Sequence, residues 1–203
     1  MKKTLITTTL SAALALTACS GIEATDVNIT PVETNPSEAT QEPVEESGPA
    51  VDVNERGSIA LEQGEEGVIM DYQDTILVSF VVSDIETDLQ CTADRPLDAE
   101  NGHFIALDVE IESDQAAAEN YVEPDLIFNK AGMRIIDSDG TTRSESPNSG
   151  ASFECLPESE QLPVTFGPGE KLSGKVVLDV PIESGAILTE LGVGEYTQWE
   201  WEF

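Results

Sequence analysis

Apolar and polar residues alternate with period two along much of residues 65–203. Ile76, Val78, Phe80 and Val82 share one parity, against a mixed set of Leu77, Ser79, Val81 and Ser83. Ile105, Leu107, Val109 and Ile111 alternate with Ala106, Asp108, Glu110 and Glu112. Leu172, Val176, Leu178, Val180 and Ile182 form a third series, and Trp199, Trp201 and Phe203 a fourth, with Glu200 and Glu202 on its other face. Such alternation marks antiparallel strands with one face on a core and one in water. Turn signals separate the runs at Glu100-Asn101-Gly102, Asp137-Ser138-Asp139-Gly140, Pro147-Asn148-Ser149-Gly150 and Gly167-Pro168-Gly169. No amphipathic helix stands between them; Gln115–Asn120 offers a single turn. Several strands without crossover helices predict an all-β antiparallel sandwich.

The apolar parity is even through Val82 and odd at Ile85 and Leu89. A strand keeps its faces unless a residue is inserted, so a bulge is expected near Ser83-Asp84.

The first 64 residues read differently. Met1-Lys2-Lys3 precedes an uncharged run from Leu5 to Ala15, too short for a membrane span but suited to a secretory signal. It ends in Leu16-Thr17-Ala18-Cys19, which resembles the lipobox of bacterial lipoproteins. That resemblance implies cleavage after residue 18 and a diacylglycerol on the Cys19 sulfur; an ordinary cleaved signal with an incidental Cys is the plainer alternative. Residues 20–64 contain ten acids, one base (Arg56), no aromatic residue and neither period. A chain of that kind buries too little to offset its ordering entropy. The expected organisation is therefore a signal peptide over 1–18, a lipidated Cys and disordered acidic tether over 19–64, and the sandwich over 65–203. The tether would reach roughly 35–40 Å as a flexible coil.

Charge narrows the partners. With 9 Lys+Arg against 40 Asp+Glu the net charge is −31, and loss of residues 1–18 takes two lysines and makes it −33. Nucleic acid and polybasic membrane contact are excluded by so few cations. The expected location is extracytoplasmic, held to the cell membrane by the lipid and facing the wall or surface. There Cys91 and Cys155, the two cysteines beyond Cys19, are expected to form a disulfide, with free thiols as the alternative.

Two further segments carry a family resemblance. Asn101-Gly102-His103-Phe104-Ile105-Ala106-Leu107-Asp108-Val109 and Phe166-Gly167-Pro168-Gly169-Glu170, continuing through Gly174–Pro181, resemble the immunoglobulin-like domain of unknown function found at the C-terminal end of Gram-positive lipoproteins and secreted proteins. Trp199-Glu200-Trp201 fits the same pattern. The resemblance covers roughly residues 66–203, implies an immunoglobulin-like sandwich, and brings no activity or catalytic residues.

Catalytic chemistry has little to work with. A triad would have to be built on His103, the single His, whose plainer role is structural or solvent-exposed. One His and two Cys make the usual zinc site improbable. Gly192-Val193-Gly194 lacks the rest of a phosphate cradle. Thirty acids in 139 residues make accidental carboxylate pairs common, so a hydrolase rests on abundance alone. Calcium is the sharper cofactor expectation. Asp84, Glu86 and Asp88 recur at strand spacing, and Asp137 and Asp139 begin a calcium-loop pattern without its third acid and distal Glu. The plainer readings are a solvated edge that blocks strand pairing and a hairpin turn. The function expected from all this is a non-enzymatic binding module for an envelope protein or glycan, with the polar loops around Thr92–Gly102 and Ser144–Pro163 as contact surface. Calcium-dependent structure or adhesion is the alternative.

Overall fold

The computed structural model describes residues 53–191 and 198–203. The expected signal peptide, Cys19, most of the tether and Gly192-Val193-Gly194 lie outside them. Eight strands form two four-stranded sheets. One runs in the order β1 (Ile59–Ala60), β8 (Gln198–Glu202), β7 (Ala186–Glu190), β5 (Arg134–Ile136); the other runs β2 (Glu66–Met70), β3 (Ile76–Glu86), β4 (His103–Ser113), β6 (Lys171–Val180). Every pairing is antiparallel except β1 with β8. The described residues form an all-β antiparallel sandwich. Its helices are single turns, α1 (Ala116–Glu119) and α2 (Gly150–Phe153).

The predicted parities meet in the core. Val78, Phe80, Val82 and Ile85 from β3, Ile105, Leu107, Val109 and Ile111 from β4, and Val176, Leu178 and Val180 from β6 are buried with Trp199 and Trp201 from the other sheet. Phe80 stands at the centre, edge-on to Trp199 at 5.2 Å, Phe128 at 5.6 Å and Trp201 at 6.1 Å. Such tilted contacts set a positive ring edge against a negative ring face. The bulge is where the parity change places it: Val82 pairs with Val109 and Asp84 with Asp108, leaving Ser83 without a partner. Both Val82 and Ile85 thereby face the core.

Two expectations are corrected. The boundary at residue 64 is too late, because Ile59 and Ala60 already add a parallel strand to β8. Arg56 holds this segment, with Nε donating to Glu200 Oε2 at 2.9 Å and Nη2 paired with Oε1. A two-residue edge strand has no period to detect, and Glu200, assigned to the polar face by alternation, is buried beneath that guanidinium. The polar faces of β4 and β6 are likewise not all solvated. Phe104, Ala106 and Val177 are covered by Leu89, Ala151, Cys155 and Leu156, a second small apolar cluster outside the sheet.

Candidate functional site

That outer cluster organises the loops. Cys91 and Cys155 form a disulfide, with Cα atoms 4.5 Å apart, between the segment after β3 and the one after α2. Thr92 and Ala93 donate their backbone N–H groups to the Cys155 carbonyl at 2.9 and 3.1 Å. Fully buried Asp179 closes the far end of the first loop, accepting from the backbone N–H groups of Glu100 at 2.7 Å and Asn101 at 3.0 Å. Asn101 Nδ2 in turn donates to the Ser146 carbonyl at 2.9 Å, joining the two loops. A buried carboxylate is tolerable only with such donors.

The second loop forms one wall of a pocket. Ser149 caps α2, its Oγ accepting from Ser152 N at 3.1 Å. Downstream, Gln161–Pro163 lies against β6 so closely that a Cβ at Gly174 would sit 2.6 Å from Leu162 N; only glycine admits that approach. Between these elements is a cavity of about 70 Å³ whose lining includes Lys130, Asn148, Phe153, Leu162, Val164 and Phe166. Its rim is apolar and open, with Val164 72% and Phe153 41% exposed.

Lys130 is the chemical feature of this pocket. Its Nζ lies 3.3 Å from the centroid of the Phe153 ring and donates to Ser152 Oγ at 3.1 Å. The Ser152 hydroxyl donates onward to the Ser149 carbonyl at 2.9 Å. Burial pushes the Lys130 ammonium down to about 8, because the charged form loses hydration that the ring face returns only in part. Lys171 and Lys175 behave oppositely. Glu112 raises the first; the second is raised by Asp108 and Glu86 against a desolvation that favours the neutral amine.

Stability should record this. A lysine whose proton affinity is lower in the fold than in the unfolded chain, whose ordinary value is 10.5, destabilises the fold while charged. Stability is regained as pH rises from about 8 to 10.5, where the unfolded chain binds more protons. Lys130→Met is therefore expected to be more stable than wild type at pH 7, with the gap narrowing by pH 10. Urea unfolding of both proteins at the two pH values checks this; a gap that stays constant or widens rejects it.

The carboxylates singled out in the sequence do not converge. Asp84 and Glu86 are exposed and share a face of β3, but Lys175 spans Glu86 at 3.5 Å and Asp108 at 2.8 Å. Asp88 lies past the strand end in a left-handed conformation. Asp137 pairs with Arg143 at 3.5 Å, while Asp139 accepts from the Thr141 backbone N–H at 3.0 Å. Among the described residues no three His, Cys, Asp or Glu side chains are grouped to hold a metal ion. His103 opens β4 opposite Val180, half-buried. Lys130 had no signal in the sequence beyond the scarcity of lysine, since the loop folding that desolvates it is non-local.

No family model and no curated protein matches the chain, so the family resemblance of residues 101–109 and 166–181 rests on those segments. Among solved structures the chain is similar to MPT63, a secreted protein of Mycobacterium tuberculosis, at 15% identity and a TM-score of 0.43, over 72% of this chain and 98% of that one.

Proposed function

We propose that the chain is a lipid-anchored envelope protein that displays its sandwich outside the cytoplasm as a non-enzymatic binding module for an envelope protein or glycan. The carrying observation is the surface where the two polar loops meet. The disulfide and Asp179 hold both loops in place, and Val164 and Phe153 stand out from them beside a pocket. Loops fixed on a rigid sheet scaffold are where binding surfaces are built. A disulfide supports an oxidising compartment, in keeping with the signal-like start. A photo-crosslinking residue in place of Val164, irradiated in intact envelopes, is expected to give a discrete adduct that the same residue at Tyr72 does not. No adduct at Val164, or the same adduct at both positions, would reject the surface.

Anchoring is tested separately. Two acyl chains hold a protein stably where one is marginal. Cys19→Ala should move the protein from the membrane fraction to the medium; sedimentation unchanged and still reversed by detergent would overturn the lipid assignment.

A further inference from the structure

Among the described residues most of the cations of this acidic chain are engaged. Arg56, Arg134, Arg143, Lys171 and Lys175 each meet a carboxylate. Arg95 lies exposed in the first loop. Lys130 pairs with no carboxylate among the described residues, yet it is half-buried and lines an open pocket. Two charged groups share the pocket with it: Asp125, from the single turn at Pro124–Leu126, and Lys175, from β6. Lys175 is held by Asp108 and Glu86, and Asp125 forms no ion pair with Lys130.

The hydrogen-bond direction matters here. Ser152 has one hydroxyl proton, and it is committed to the Ser149 carbonyl. Ser152 Oγ therefore accepts from Nζ, and a neutral amine keeps that bond through an N–H while its lone pair stays uncommitted. Ser152 itself is fully buried and does not line the pocket, whereas Lys130 does.

We propose that Lys130 is a covalent modification site for small aldehydes with a short apolar tail, which condense with its amine inside the loop pocket. The nitrogen lone pair attacks the carbonyl carbon, and the C=O π pair moves to oxygen, which takes a proton from nitrogen. The resulting carbinolamine loses its hydroxyl with the second nitrogen proton as water, leaving a C=N bond to Lys130. No redox change is involved. Leu162, Val164 and Phe166 line the space where the tail would lie.

The test uses the full-length wild-type protein in detergent, with limiting propanal and cyanoborohydride as the trapping reductant, followed by peptide mapping. At pH 7.5 the Lys130 amine holds a sizeable neutral fraction, whereas Lys171 and Lys175 are raised above 10.5. Propylation of Lys130 at least about tenfold above either of them is expected, with a rate that levels off above pH 8. In urea the preference should vanish. Equal labelling of the three lysines in the folded protein, or a preference that survives urea, would overturn the proposal.

Discussion

Replacing Phe80 with alanine is expected to destabilise the fold by about 4 kcal/mol, the range for truncating a buried Phe that leaves a cavity. Phe80 meets three aromatic rings from two other segments of the chain, β8 and the loop that carries Phe128, so its loss removes the cross-sheet contact of Trp199 and Trp201 as well as apolar burial. The collapse needed to refill the space is blocked by the two sheets that frame it. Urea unfolding followed by tryptophan fluorescence measures the effect, because both tryptophans touch the ring. A loss below about 1 kcal/mol would mean that the core closes over the gap.

Gly67 supplies an internal control. A Cβ at this position would lie 2.4 Å from the Phe80 ring, so Gly67→Ala forces that ring to move in the wild-type background. With Phe80→Ala in place the same methyl meets only the flexible end of Leu61, at 3.1 Å. The two substitutions should therefore couple, the double variant being more stable than additivity predicts. Additive losses would show that the strain at Gly67 comes from Leu61 rather than from the ring.

Cys91→Ala with Cys155→Ala is expected to cost about 4 kcal/mol as well, by a different route. The bond closes a 64-residue separation, and its removal returns that loop-closure entropy to the unfolded chain. Marginal domain stability of roughly 5–15 kcal/mol makes this a large share. Alanine is chosen because the site is apolar, packed by Leu89, Phe104, Leu156 and Val177, where a serine hydroxyl would add its own cost. Hydrogen exchange at the Thr92 and Ala93 amides should accelerate most, since both donate to the Cys155 carbonyl. Exchange that speeds up equally throughout the sandwich would mean that the disulfide supports global stability without fixing the loops.

The pairing faces of β3, β4, β6 and β8 were legible because a pleated strand puts every second residue on the core. One parity change was enough to place an inserted residue at Ser83. Those are local properties, and a linear pattern records them completely. The strand at Ile59–Ala60 was not legible, since two residues carry no period and Arg56 holds them only through a carboxylate 144 positions away. The alternation likewise assigned Ala106 and Val177 to a solvated face without revealing that a disulfide-tied loop would cover them.

The candidate site divides in the same way. Cys91 and Cys155 were readable as a pair from their number and compartment, and the polar loops from their composition. The sequence by itself thus determined an all-β sandwich, its core faces, its bulge, its excess of acid and the cysteines available to staple it. Only the tertiary structure decided what the loops do. Burial depends on chain brought from elsewhere: β6 lets Gln161–Pro163 approach at Gly174, and α2 sets Ser152 and Phe153 against Lys130. Desolvation of one amine is a property of that assembled surface, and no single segment of the chain contains it.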